Sequence, residues 1–518
     1  MGKNSDSLSE TDKSIGSRII NGTIIIVLIG ILAKFASFIL EAVLAAFLGT
    51  TYQSDAYYMV WSVHGVIYPM MSIGIWKVFL PLYKSHIAKK ETETAFQLTD
   101  KALTFFTSIS IGVAVLLVIF APQVVSVVAP GFKNETRELC IKLVRISAPQ
   151  YVFIIASAVY ASILQCHEKF LGSQIREVVS HIPVIIAAVF FYRLFGIESL
   201  AIGLVVAGIL RLLIELPFVD WGYRYKPDFG FTDEEFTLML KRLPSALISA
   251  GVVQLNTLVD KSMASTLSEG TISVLNYGQK LMNVFSGLLS SAIATAMYPQ
   301  MIELITLKKE EELGRLIVKI INIFLFLMVP ITAACILFRK ELVTLAFQRG
   351  AFNYDSTVVT SNIFALYCIG LFFIASNTVI SNVFYGYGDT NTAMKISVAN
   401  LVINVGLNLV LIRPLGANGL ALATSVSAVT TFAIRLHAAG KYVRLDFGNM
   451  IATGCRTLIA AGISCIIPRI IFLKFDPGAF LVLIISAVIG VSMYLIISKA
   501  LRIEEMNDLI HLIKGASR

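Results

Sequence analysis

The chain has 518 residues, 56% of them hydrophobic and only 14% charged, with a net charge of +9. A soluble chain carries about 25% charged residues, so this composition, with many apolar runs long enough to cross about 30 Å of hydrocarbon, excludes a soluble protein and marks a polytopic membrane protein. The positive charge sits mostly in loops, where it sets topology and meets lipid rather than nucleic acid.

In chain order, apolar runs read against loop signals predict an all-α protein with about fourteen transmembrane helices. They cover 20–48, 55–84, 101–128, 136–165, 171–192, 197–219, 243–266, 271–301, 315–338, 355–385, 390–413, 417–438, 451–473 and 478–499, with the second and eighth open to a break. The first twenty residues, MGKNSDSLSETDKSIGSRII, lack the order of a cleaved signal, so the first span is expected to remain as a signal anchor. Loops bearing Lys84, Lys89 and Lys90, then Lys169, Arg224 and Lys226, Lys308 and Lys309, and Lys441 and Arg444 alternate with loops poorer in positive charge. That asymmetry places both termini in the cytoplasm. The six cysteines show no CxxC spacing, so neither a disulfide framework nor a zinc site is expected.

Two echoes at a separation of about 218 residues indicate an internal repeat. IWKVFLPLYKSH (75–86) matches TAMYPQMIELIT (295–306), and APQYVFIIASAVYASILQ (148–165) matches YCIGLFFIASNTVISNVF (367–384). Equal helix parity makes the halves parallel, and a duplicated many-helix chain commonly places its substrate between the halves. The expected organisation is a tail 1–19, a first lobe 20–219, a cytoplasmic linker 220–242, a second lobe 243–440, a further helix pair 451–499 and a tail 500–518.

Charges inside the spans are the strongest functional signal, because each costs on the order of 3 kcal/mol at the bilayer centre. Lys34 and Glu41 lie two turns apart on one face of the first span. The eighth carries Asn276, Lys280, Asn283 and Gly287 as a polar stripe, and the seventh carries adjacent Asp260 and Lys261. Cations outnumber carboxylates in this set, which suits an anionic substrate such as a pyrophosphate and suits a cationic drug badly. The competing reading is that each charge only fixes helix packing. Asn400, Asn404 and Asn408 form an amide ladder, with Thr424 on the next span; their oxygens suit either a hard cation, with Asp260 supplying charge, or interhelical hydrogen bonds. No GxSxG, HExxH or phosphate-binding loop is present and the loops are short, so no enzyme is expected.

Four stretches together resemble the MurJ (MviN) family of lipid II flippases, in the superfamily that also holds MATE exporters. They are EAVLAAFLGTTYQSDAYYMVW (41–61), LVDKSMASTLSEGTISVLNYGQKL (258–281), FQRGAFNYDS (347–356) and the run from FYGYGDT to GLALATS (384–425). The resemblance implies two six-helix lobes around a central cavity, plus two carboxyl-terminal helices lining a groove for a polyprenyl tail. It implies a monomer in the bacterial plasma membrane that moves lipid-linked disaccharide pentapeptide outward by alternating access. Lys34 and Lys280 fall at two of the family's cavity arginines, and Glu41 and Asp55 at two of its aspartates. With Lys261 and Asn276 these form the expected substrate set. Two further arginines are replaced, by Leu40 and in the Tyr68 region, so another polyprenyl-linked oligosaccharide is the alternative substrate. A MATE-like exporter and a non-transporting scaffold are the remaining ones. The resemblance also implies a sodium site at Asp260, Asn404, Asn408, the Leu420 carbonyl and Thr424, with no other cofactor.

Overall fold

The computed structural model describes residues 26, 28–472 and 477–506. The expected tail 1–19 and the last twelve residues of the tail 500–518 lie outside the described residues. The described part is helical: α1 (Leu28–Leu48), α2 (Tyr52–Ala88), α3 (Thr92–Ile119), α4 (Asn134–Ser147), α5 (Gln150–Cys166), α6 (Phe170–Phe195), α7 (Glu198–Phe218), α8 (Glu234–Ala264), α9 (Thr271–Thr306), α10 (Glu310–Leu337), α11 (Tyr354–Ile369), α12 (Leu371–Gly386), α13 (Thr390–Leu415), α14 (Ala417–Ala439), α15 (Phe447–Phe472) and α16 (Ala479–Ala500). Ten helices are long and apolar enough to cross a membrane, or twelve when each of two bent pairs counts as one span. The other long helices, α8 and α9, have 31 and 36 residues and carry the polar stripes noted above.

Two expected spans are not straight. α4 and α5 meet at 45°, and α11 and α12 meet at 40°. Pro149 sits at the first break, where its missing N–H ends the ladder. At the second, the Ser425 hydroxyl accepts from the Gly370 N–H (3.1 Å) and donates to the Leu366 carbonyl (2.6 Å), so one side chain bridges the interrupted backbone. α2 and α9 run unbroken through Pro81 and Pro299.

The chain forms two compact units, residues 1–47 with 52–262, and 48–51 with 263–518. The change of unit therefore falls at the end of α8 rather than in the 220–242 linker, because α8 packs with the first unit. Gly74 of α2 faces Leu243 and Leu247, and Gly251 faces Met70, close approaches that only a residue without Cβ allows. Within this unit α5 is the hub, packed against α2, α3 and α7. In the second unit α13 packs on α14, α10 on α15, α15 on α16, and α9 on both α11 and α12.

Motif residues explain the turns of the second unit. Asp389 caps α13 by accepting from the Thr392 N–H (3.0 Å), and Asn353 caps α11 through the Ser356 N–H (2.9 Å). Tyr277 packs on Phe347 and Phe352 and donates its hydroxyl to the Gly49 carbonyl (3.1 Å).

Candidate functional site

In the first unit two of the expected residues, from α1 and α8, meet at a tyrosine of α2. Glu41 of α1 is buried, and the Tyr58 hydroxyl of α2 donates to its Oε2 at 2.7 Å. The Lys261 ammonium of α8, also buried, lies 5.8 Å from the Tyr58 ring centroid, within reach of a cation–π attraction. Tyr58 thus joins an acid and a base that the sequence placed about 220 residues apart. Asp55 is buried in the first turn of α2, where the helix dipole favours a carboxylate. Lys34 differs from Glu41: it lies on an exposed stretch of α1. Asp260 is buried beside Lys261 in the sequence.

The remaining expected substrate residues belong to the second unit. Asn276 is buried on α9 and Lys280, one turn later, is half-buried. The same unit contains an apolar cavity of about 580 Å³ lined by α10, α15 and α16, with Phe326, Pro330, Ser464, Gly490 and Tyr494 on its walls. The Tyr494 hydroxyl donates to the Phe326 carbonyl (2.7 Å), which fixes α16 against α10.

The amide ladder is hydrogen-bonded within itself. Asn408 Nδ2 donates to Asn404 Oδ1 (3.0 Å), Thr424 donates to the Leu420 carbonyl (3.1 Å), and Thr431 donates to Asn400 Oδ1 (2.7 Å). Asn404 and Asn408 are fully buried. The second unit's share of the expected sodium set therefore offers neutral oxygens only, and the Asn404 and Leu420 oxygens already accept hydrogen bonds. The one carboxylate of the set, Asp260, belongs to the first unit. Hard cations are usually held with carboxylate ligands, so these four residues alone do not fit a resident sodium ion. Among the described residues no group of three or more His, Cys, Asp or Glu side chains is arranged to hold a metal.

A second ionic cluster, which the sequence reading missed, lies in the first unit. Arg176 of α6 donates through Nη1 to the Ser157 carbonyl (3.1 Å) and hydroxyl (3.2 Å) and stands 3.3 Å from the fully buried Glu215. Its Nε is 3.5 Å from Glu177, whose carboxylate also accepts from Arg211 of α7. Arg211 donates to the Tyr68 hydroxyl as well, with its guanidinium 4.8 Å above the Tyr68 ring. The Tyr68 region, which lacks the arginine expected from the resemblance, thus receives a cation from α7. Leu40, at the other departure, is 3% exposed and packed in the core. Nothing local in the sequence announces the cluster, because its members come from helices that meet only in the fold.

Comparison with known proteins bears on the whole chain. The family model described as lipid II flippase MurJ matches residues 44–487. A probable lipid II flippase MurJ of Thermotoga maritima is 25% identical over 492 residues, covering 92% of this chain and 96% of that protein. Another, of Rickettsia prowazekii, is 28% identical over 416 residues, covering 78% and 80%. Among solved structures, a lipid II flippase MurJ in an inward closed conformation aligns with a TM-score of 0.81 at 22% identity, covering 94% of this chain and all of that one. An inward-facing multidrug MATE transporter aligns with a TM-score of 0.68 at 15% identity, covering 79% and 95%.

Proposed function

The chain belongs to the MurJ family of lipid II flippases, and from that premise we propose that it carries lipid II from the inner to the outer leaflet of the bacterial plasma membrane by alternating access. The observation that carries this reading is chemical. The second unit has an apolar cavity of about 580 Å³ sized for a hydrocarbon tail, and the same helix bundle carries Lys280 and Asn276 on an otherwise apolar α9. Each unit thus carries cations of the kind a pyrophosphate requires, Lys280 in the second and Lys34 and Lys261 in the first. Glu41 and Asp55 complete the expected substrate set, and Glu41 also accepts from Tyr58, whose ring faces Lys261.

Lysine grips phosphate as a point charge and lacks the planar fork of arginine. Each lysine therefore contributes field more than geometry, and discrimination among lipid-linked glycans falls to other contacts. A different polyprenyl-linked oligosaccharide is the second reading, favoured by Leu40, a buried apolar side chain where the family has an arginine. An exporter of cations is disfavoured by the excess of lysine. The protein acts as a monomer with both termini at the cytoplasmic face, where the lysine-rich loops lie. Transport involves no covalent chemistry and no step is assigned to a bound cation.

The test is depletion of the protein followed by assay of the precursor exposed on each face of the membrane, with Lys34→Ala and Lys280→Ala variants expressed at normal levels. Lipid II trapped at the cytoplasmic face, unrelieved by the double variant, supports the reading. Normal flipping of lipid II with accumulation of another polyprenyl-linked glycan moves the substrate, and full transport by the double variant ends the anionic-cavity model.

A further inference from the structure

Within the first unit, α8 meets α2 at a contact that the transport reading does not use. Three meetings of these antiparallel helices keep one register: Met70 against Gly251, Gly74 against Leu247, and His86 against Glu235. The steps between them are four and then twelve residues on each helix, so all three lie on one seam. The first two are apolar and close. The third is ionic, about 18 Å farther along at 1.5 Å per residue, and past the apolar run that ends at Lys84.

His86 has a carboxylate at each ring nitrogen. Nδ1 is 2.7 Å from Glu91 Oε2, in the turn after α2. Nε2 is 2.8 Å from both carboxylate oxygens of Glu235, in the first turn of α8. The ring is buried, with 7% of the side chain exposed, while both glutamates reach water. Only an imidazolium donates from both nitrogens; a neutral ring would turn a lone pair toward one of the carboxylates. Burial pulls the His86 pKa down, but the hydrogen bonds to Glu91 and Glu235 outweigh it and leave it above the ordinary 6.5.

The other charged groups around the ring are exposed or engaged elsewhere. Lys84, Lys89 and Lys90 flank it on α2 and the following turn and are exposed, as are Glu93 of α3 and Glu234, Lys241 and Arg242 of α8. Asp100 of α3 accepts from the Tyr223 hydroxyl, and Lys101 pairs with Asp233, with Asp228 at 4.0 Å.

Two features allow the contact to open. Pro244, between Glu235 and Leu247, has no N–H for the Leu240 carbonyl, so α8 is weakened between the ionic and the apolar parts of the seam. Phe236, next to Glu235 and fully buried, stacks on Phe231 and meets Phe105 of α3 edge-on. Its N–H donates to Asp233 (2.8 Å). The end of α8 is thus held to α3 by aromatic packing, which does not titrate, and to α2 by a bond that does.

We propose that His86 and Glu235 form a proton-controlled latch between α2 and α8. Charged, the imidazole holds residues 234–243 against α2; neutral, it releases them to turn about Pro244 while Phe236 keeps its place beside α3. A histidine whose folded pKa is raised contributes fully below its unfolded value, about 6.5, and loses that contribution as pH rises through the folded one. The topology proposed above puts this end of α8 in the cytoplasm, so the latch reads cytoplasmic pH. At its other end α8 runs to the point where the chain passes from the first unit to the second. The latch does not rest on the flippase reading and holds for any cargo.

The test is the distance between nitroxide labels at Ala88→Cys and Leu238→Cys, both exposed positions. It uses the full-length protein in lipid nanodiscs, with Cys455 and Cys166 replaced by alanine and the four buried cysteines left in place. Pulsed electron resonance at about pH 6 and about pH 8.5 brackets the ordinary histidine value. The expected result is one narrow distance at the lower pH and, at the higher, a longer population grown roughly three-fold or more. His86→Gln should show the longer population at both pH values, and Glu235→Gln, at a partly exposed position, should do the same if the histidine variant fails to fold. A parent distribution that ignores pH overturns the latch. A pH response that survives either substitution assigns it to another group and overturns it as well.

Discussion

The two units bury polar groups by different chemistry. The first holds a chain of full charges, Arg211–Glu177–Arg176–Glu215, crossing α6 and α7. The second, at its α13–α14 seam, uses only amides and hydroxyls, Asn404 to Asn408 and Thr431 to Asn400. Neutral groups cost less to bury than charges, and of these two bonds the one from Thr431 to Asn400 joins α14 to α13. Ionic groups are expensive to bury, and each depends on the next for compensation. The first unit's network therefore depends on every charge in it, whereas a bond of the second unit's seam can be lost singly.

The contrast is broken most directly at Glu215. Glu215→Leu takes from the buried Arg176 guanidinium the nearer of its two carboxylates and is expected to lower stability by about 3 kcal/mol. Thermal unfolding in detergent should show the loss, and the double variant Arg176→Met/Glu215→Leu should recover much of it. Unchanged stability in the single variant would mean that the network is not compensated pair by pair. Next comes a backbone effect: Gly270 has φ +85°, and a Cβ there would overlap the Thr50 carbonyl. Gly270→Ala should cost about 1–3 kcal/mol by the same measurement, with Gly416→Ala, strained at φ +56° but facing open space, at the low end. For the seam, Thr431→Ala, which removes the bond from α14 to Asn400 of α13, should cost about 0.6 kcal/mol, the average for an interhelical hydrogen bond in a membrane bundle. A loss as large as that at Glu215 would erase the distinction between the units.

The smallest expected effect is at the water-facing cap of α13. Hydrogen bonds from Thr392 and Tyr442 hold the Asp389 carboxyl down at about 2, below its ordinary value of 3.8. A depressed carboxyl stabilises the fold above its unfolded value and loses that contribution as pH falls through its folded one. Asp389→Asn should therefore melt slightly earlier than the parent at pH 7, with the gap closing between about pH 4 and 2. A constant gap would show that the carboxylate charge contributes nothing to the cap.

Periodicity and loop charge made the helices legible, since hydrocarbon thickness imposes run length whatever the tertiary contacts. Spans expected at 171–192 and 197–219 appear as Phe170–Phe195 and Glu198–Phe218. The bends were less visible. Pro149 offers a local reason for the first, but the second depends on Ser425 reaching Gly370 from another helix. In the site, Glu41 and Lys261 were legible as charges that needed an explanation; Tyr58, which links them, was one apolar-looking residue among many. Arg176 and Arg211, inside spans 171–192 and 197–219, carried no such signal, because their partners come from other helices. Arg176 is buried against Ser157 of α5, a contact that exists only once the helices pack. The residues that carried the family likeness most clearly prove architectural: Asp389 caps, Gly416 turns, and Gly419 lets α14 approach the Leu411 carbonyl.

The alternating charges also put a clock on biogenesis. Arg176 and Glu215 are separated by about forty residues, which at roughly 5–20 residues per second takes a ribosome about 2–8 s to synthesise. During that interval α6 carries a guanidinium that has Glu177 beside it but not yet the buried Glu215, and release into lipid would leave it under-compensated. The helix is thus expected to wait at the translocon until α7 emerges, so that the two leave as a hairpin. A nascent chain stalled before residue 211 should remain extractable, while one extended past the emergence of residue 218 should partition into the bilayer.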